Sequence, residues 1–88
     1  MEDRMTRIRE RLQQALAPAS MELIDESHLH AGHAGAKSGR GHYRLRIVSN
    51  RFAGLNPVQR HRLVYEALGE LMQTDIHALS IDASALDA

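Results

Sequence analysis

The segment from residue 42 to residue 68 changes its hydrophobic period part-way along, and this change constrains the fold more than any other feature of the sequence. In HYRLRIVS, apolar and polar residues alternate, which predicts a β-strand with one apolar face and one basic face. The following turn contains Phe52, the only phenylalanine, which we expect to fill the core. Asn56 and Pro57 are typical of a helix start, and Gln59 stands where a capping box requires it. The sequence therefore predicts a strand, a turn and a helix in succession.

Two helices are expected, each with one apolar stripe. Apolar residues recur at helical spacing among arginines over residues 2–17, which predicts an amphipathic helix that Pro18 ends. The second helix is expected to begin at Pro57 and to run to Gln73. Its predicted buried stripe consists of Val64, Leu68, Leu71 and Met72.

Two other short segments have the pattern of strands. MELIDES, residues 21–27, is typical of a short strand, and IHALSID, residues 76–82, predicts a mostly buried one. In the second, Ile76 and Ala78 are expected on one face, opposite His77, Leu79 and Ile81. The order helix, strand, strand, helix, strand predicts one α+β domain over residues 1–88, with helices packed on one face of a three-stranded sheet.

Composition restricts the chemistry and the location of the chain. There is no cysteine, so the chain itself supplies no disulfide, thiolate nucleophile or thiolate metal ligand. GxSxG, HExxH and phosphate-binding glycine motifs do not occur. We therefore expect that the protein is not an enzyme. No apolar run approaches the roughly 20 residues that span a bilayer, and the first ten residues lack the pattern of a signal peptide. A cytoplasmic protein without membrane contact is expected.

Charge is unevenly distributed along a chain whose formal net charge is zero. No acidic residue occurs from Ser27 to Tyr65, whereas this span contains seven basic ones: Lys37, Arg40, Arg44, Arg46, Arg51, Arg60 and Arg62. A cationic centre of this kind is compatible with phosphate contacts in nucleic acid or with a solvated basic face. The residues predicted to form a partner or nucleic-acid surface are Arg44, Arg46, Arg60, His61 and Arg62.

The connection between the first two strands is rich in histidine and glycine. HLHAGHAGAKSGRGH, residues 28–42, contains four of the six histidines and four of the six glycines. The imidazoles of His28, His30 and His33 are possible metal ligands, although the residues alone favour a flexible connection. His77 has two interpretations from sequence, a partly buried imidazole bonded to backbone or a functional ligand.

DESHLHAGH, HYRLRIVSNRF, FAGLNPVQRHRLVYEAL and IHALSI together resemble the BolA family over roughly residues 7–83. The resemblance implies an αββαβ fold similar to the class II KH domain. It also implies a heterodimer with a monothiol glutaredoxin of the CGFS type and a shared, bridging [2Fe-2S] cluster, for which the glutaredoxin brings a cysteine and a bound glutathione. Such an adaptor would act in cluster trafficking or iron regulation, and we expect it to be a monomer when alone.

The resemblance also assigns the metal ligands. His77 matches the family's C-terminal histidine ligand, and a second ligand is expected from the connection between the first two strands. Counting from Ser27 favours His30, whereas counting back from His42 favours His33, which we prefer. His28 and His42 are interpreted as supporting residues. Because some BolA proteins are described as DNA-binding regulators, direct DNA binding is the alternative function.

Overall fold

Helices and strands follow one another in the predicted order. The computed structural model describes residues 3–30 and 40–86, with the backbone alone for residues 29 and 30. The elements are α1 (Arg4–Leu16), β1 (Ser20–Asp25), β2 (Gly41–Val48), α2 (Pro57–Leu68), α3 (Leu71–Thr74) and β3 (Ile76–Ser84). Two short 3₁₀ helices cover Ser27–His30 and Asn50–Phe52. The predicted α+β class and its αββαβ order are confirmed, with α3 as an additional short turn of helix.

The three strands form one sheet in the order β1-β2-β3. β1 and β2 are antiparallel, with Ser20 opposite Val48 and Asp25 opposite Tyr43. β2 and β3 are parallel, so the chain must cross over between them, and α2 and α3 lie in that crossover. Of the residues that the structure describes, no helix combines the length and the apolar character needed to cross a bilayer.

The core lies between one face of the sheet and the helices. β2 contributes Tyr43, Leu45 and Ile47, all buried as predicted, and Phe52 is fully buried, which confirms its expected place. The helices and the other strands supply the remaining buried apolar side chains: Ile8, Leu12, Leu16, Leu23, Val64, Leu68, Leu71 and Ile76. The prediction that the helices cover a single face of the sheet is confirmed.

The start of α2 is as predicted, but its end is not. Asn56 Oδ1 accepts from the N–H of Gln59 at 2.8 Å, and Gln59 Oε1 accepts from the N–H of Asn56 at 2.9 Å, which confirms the capping box. The predicted continuation to Gln73 is wrong, because α2 ends at Leu68. Gly69 has a φ of 54°, a conformation that glycine adopts without steric cost, and its N–H closes the helix on the carbonyl of Tyr65. α3 therefore starts as a separate turn.

A β-bulge at the start of β3 changes which side chains face the core. Gly41 is opposite Ile76, but the next residue of β2, His42, is opposite Ala78, so His77 is the extra residue. The predicted division of faces is wrong: Ile76 is buried and both Leu79 and Ile81 pack against the core, because the bulge shifts the period of two by one residue. The strand is also not mostly buried, since His77, Ala78, Ser80 and Asp82 are exposed.

Candidate functional site

His77 presents an exposed imidazole at the bulge that opens β3. Its Nδ1 lies 3.3 Å from Nη2 of Arg40, and its ring centroid is 5.0 Å from that of His42, with 50° between the ring planes. The interpretation of His77 as a partly buried imidazole is therefore wrong. Because a bulge turns its extra residue away from the regular pleat, the exposure of His77 follows from the strand pairing.

Asp75 fixes the backbone on which His77 stands. Its side chain, only 10 % exposed, accepts from Arg7 Nη2 at 2.5 Å and from Thr74 Oγ1 at 2.7 Å, and Arg4 Nε lies 3.7 Å away. Its backbone carbonyl accepts from the N–H of Gly41 at 2.9 Å. Asp75 thus ties α1, the first residue of β2 and the start of β3 together, two residues before His77.

The surroundings of Asp75 also set its protonation. Burial on its own would raise the pKa of Asp75, but hydrogen bonds from Arg7 and Thr74, with the charges of Arg7 and Arg4, outweigh burial and lower it. The carboxylate is therefore ionised at neutral pH. As a charged acceptor it forms stronger hydrogen bonds than a neutral group would form in its place.

The first residue of β2 must be small. A Cβ at Gly41 would lie 2.5 Å from Oη of Tyr43 and 2.7 Å from two of its ring carbons. Tyr43 is 3 % exposed and has little room to withdraw. Glycine at this position therefore leaves the space that the buried Tyr43 ring occupies.

The 3₁₀ helix at Ser27–His30 begins beside His42. Ser27 Oγ accepts from the N–H of His42 at 3.0 Å, and the carbonyl of His42 accepts from the N–H of Glu26 at 2.8 Å. The backbone that contains His28 and His30 is thus held at the same end of the sheet as the His42 and His77 rings. His28 is exposed, and His33 lies outside the described residues.

Among the side chains that the structure describes at this end of the sheet, the donors are too few for a resident metal. Within residues 3–30 and 40–86, no three histidine, aspartate or glutamate side chains come together in a way that suits a metal ion. A structural zinc site takes four ligands, typically all from the protein.

The exposed arginines of β2 are paired with acids. Arg44 Nε lies 3.1 Å from Glu26 Oε2, and Arg46 Nε lies 3.7 Å from Asp82 Oδ2. Arg44 and Arg46 lie on the exposed face of this strand, as predicted, but the paired acids offset their charge, and His42, only 8 % exposed, adds little to that face. Folding brings acids from before and after the cationic span onto the same side of the sheet.

Arg60 does not belong to that outer face. It extends from α2, on the core side of the sheet, and its Nε and Nη1 donate to the carbonyls of Leu55 and Ala83 at 2.9 and 3.0 Å. Its neighbours on α2 are half-buried His61 and exposed Arg62. The predicted partner residues thus lie on two sides of the sheet, with Arg44 and Arg46 on the other side.

Truncating Arg60 is expected to destabilise the fold. Arg60→Ala removes two charge-assisted hydrogen bonds, one to the carbonyl of Leu55 just before α2 and one to the carbonyl of Ala83 near the end of β3. The free energy of unfolding should therefore fall by about 1–2 kcal/mol. Urea unfolding followed by circular dichroism would measure the change. Arg62→Ala removes the same charge from an exposed position and should stay within about 0.5 kcal/mol of wild type. Equal effects of the two variants would contradict a structural role for Arg60.

Comparison with known proteins identifies the family. Residues 12–87 match a family model described as BolA-like protein. The chain belongs to the BolA family. It is 48 % identical over 84 residues to the chloroplastic protein BOLA1 of Arabidopsis thaliana, covering 92 % of this chain and 52 % of that protein. It is 40 % identical over 75 residues to the DNA-binding transcriptional regulator BolA of Escherichia coli (strain K12), covering 85 % of this chain and 69 % of that protein.

A solved structure of the BolA domain of SufE1 from Arabidopsis thaliana superposes with a TM-score of 0.83 at 42 % identity, covering 97 % of this chain and 94 % of that one. The chain spans about half the length of several BolA relatives that it matches. The residues of the family match include Arg40, His42, Asp75 and His77, so the described part of the site lies within the BolA-like region. Arg4 and Arg7, which bind Asp75, precede it.

Proposed function

We propose that this BolA-family protein is an adaptor that binds a CGFS monothiol glutaredoxin and contributes His77 to a bridging [2Fe-2S] cluster, in cluster trafficking or iron regulation. The observation that carries the proposal is the exposed imidazole of His77, held at a β-bulge beside His42 where the described side chains are too few to complete a metal site. A centre completed by a second protein accounts for an exposed ligand whose backbone is fixed by strand pairing.

The chemistry of the donors agrees with a shared cluster. The chain has no cysteine, so the thiolates must come from the glutaredoxin and its glutathione. When bound, the cluster supplies redox chemistry, and histidine in place of cysteine on one iron raises its potential. The role of this chain is to hold the His77 imidazole at the sheet edge and to bring a second ligand, His33 or His30, from the connection that follows β1.

Co-expression with a CGFS glutaredoxin tests the proposal. Anaerobic purification with glutathione should yield a heterodimer whose visible absorption and circular dichroism differ from those of the glutaredoxin homodimer. The isolated chain, reconstituted with iron and sulfide in the same way, should bind no cluster. A spectrum of the mixture equal to the sum of its separate components would contradict the proposal.

The second ligand can be identified by substitution. We expect His33→Ala to alter the visible circular dichroism of the heterodimer, and His30→Ala to leave it close to wild type. The reverse result would assign the second ligand to His30. If neither variant differs from wild type, the connection supplies no ligand, and His77 would be the only contribution of this chain.

Direct DNA binding is the second candidate. It is favoured by the similarity to the Escherichia coli regulator and by exposed Arg51 and Arg62, whereas Arg44 and Arg46 are paired with acids. Binding through phosphates should weaken steeply as salt rises, and regulation also requires preference for particular sequences. Equal affinity for every duplex, lost at moderate salt, would contradict the regulator function.

A further inference from the structure

Arg40 lies directly against the imidazole of His77. One guanidinium nitrogen, Nη2, is 3.3 Å from His77 Nδ1, and the other, Nη1, is 3.5 Å from the backbone carbonyl oxygen of Gln73 in α3. The guanidinium thus joins α3 to the first residues of β3. This contact is not needed to close the core, since Arg40 is only half-buried.

The chemistry of the two groups determines which of them donates. A guanidinium carries five N–H donors and no acceptor, so Arg40 must donate and Nδ1 of His77 must accept with its lone pair. A neutral imidazole has a single N–H, which then resides on Nε2. The contact with Arg40 therefore selects the Nε2–H tautomer of His77.

A metal requires a nitrogen lone pair, and the Arg40 contact conflicts with ligation by either nitrogen. If Nε2 binds iron, the proton must move to Nδ1, where an N–H would face the N–H groups of Arg40. Ligation through Nδ1 would use the lone pair that accepts from Arg40. We propose that Arg40 is a positioning residue that holds His77 in the Nε2–H tautomer, and that His77 becomes a ligand only when the Arg40 hydrogen bond breaks.

The neighbouring backbone keeps Arg40 close to His77. Gly41 follows Arg40 directly, and its N–H bonds to the carbonyl of Asp75, two residues before His77. The guanidinium thus competes with iron as a tethered group at high local concentration. Since a hydrogen bond of this kind has a modest net strength, its removal should favour ligation by about threefold to tenfold. The ligation part of this inference rests on the proposed function, whereas the tautomer part does not.

The tautomer can be measured on the isolated protein. Imidazole ¹⁵N chemical shifts distinguish a nitrogen with a lone pair from an N–H nitrogen. His77 of the wild type, assigned by comparison with His77→Ala, should have a ratio of the Nε2–H to the Nδ1–H tautomer about threefold to tenfold higher than in Arg40→Ala. Arg40→Ala should give a mixture of tautomers, and Arg51→Ala, which removes the same charge at an exposed site, should match wild type. Identical tautomer populations in wild type and Arg40→Ala would overturn the inference.

Heterodimer formation tests the effect on ligation. The cluster-loaded glutaredoxin homodimer is titrated with each variant and followed by visible circular dichroism. Arg40→Ala should reach half-conversion at a concentration about threefold to tenfold lower than wild type, and Arg51→Ala should not differ from it. Half-conversion of Arg40→Ala at or above the wild-type concentration would overturn the ligation part. If the spectrum is insensitive to His77→Ala, the proposed function fails together with the ligation part, while the tautomer result is decided independently.

Discussion

Replacement of His77 by Ala is expected to change the visible circular dichroism of the cluster-bound heterodimer and to shorten the lifetime of its cluster, while the protein alone stays folded. The imidazole is exposed and is the extra residue of the bulge, so its loss should change the free energy of unfolding by no more than about 0.5 kcal/mol. The cluster, by contrast, would lose the ligand that this chain holds in place. Spectra of the purified heterodimer and urea unfolding of the isolated variant would measure the two effects separately.

Two further variants make this test specific. Ser80→Ala truncates another exposed residue of β3 and should leave the cluster spectrum unchanged. His77→Cys offers a thiolate where the imidazole stood, and we expect it to retain a cluster with a lower reduction potential, because thiolate adds negative charge to the centre. An unaltered spectrum for His77→Ala in a stable heterodimer would refute the assignment of His77 as a ligand.

The features that were predictable from sequence are those with a local physical cause. The alternation in β2 placed Tyr43, Leu45 and Ile47 in the core because successive side chains of a strand point to opposite faces. The reciprocal Asn56 and Gln59 bonds depend only on residues three apart, and both formed as expected. The resemblance to the BolA family was likewise carried by short motifs, and the family match confirmed it.

The errors arose where distant segments decide the local conformation. Alternation along IHALSID predicts Leu79 and Ile81 on the face of His77. No residue in that segment indicates a bulge, because the bulge arises from the pairing of the segment with Gly41 and His42. The end of α2 was a missed signal of another kind. Gly69 lies within an apolar stripe that continues to Leu71. The helical spacing of that stripe predicts a longer helix, although the glycine is itself a signal for a helix end.

The immediate neighbours of His77 were also outside the reach of sequence reasoning. In the sequence, Arg40 is one of seven basic residues of the cationic span, and His42 is interpreted as a supporting residue. In the structure, both side chains lie beside the imidazole ring of His77. Each is separated from His77 by more than thirty positions in the chain. The bulge and the parallel pairing of β2 with β3 bring them together, and neither was predicted.

Replacement of Asp75 by Asn is expected to give the largest loss of stability among the polar substitutions considered. The variant keeps the shape of the side chain but replaces the charged carboxylate, which accepts a hydrogen bond from Arg7, with a neutral amide. The free energy of unfolding at pH 7 should therefore fall by about 2–3 kcal/mol. For a domain of this size, that is a large part of the total stability. Because Asp75 also joins α1 to the start of β3, amide exchange near His77 should accelerate in the variant.

The pH dependence separates the charge of Asp75 from the shape of its side chain. The pKa of Asp75 is lowered in the folded state: burial alone would raise it, but the hydrogen bonds from Arg7 and Thr74 and the Arg7 and Arg4 charges outweigh burial. A lowered pKa stabilises the folded state above the ordinary carboxyl pKa, and that contribution is lost as pH falls through the folded value. The gap in unfolding free energy between wild type and Asp75→Asn should therefore be constant from about pH 7 to pH 5 and should narrow below about pH 4.

Asp82→Asn is the matched control. It breaks an ion pair whose two side chains are more than two-thirds exposed, and its unfolding free energy should differ little from that of wild type at any pH. A gap for Asp75→Asn that persists unchanged into acid would mean that packing, rather than the ionised carboxylate, joins α1 to the strand that carries His77.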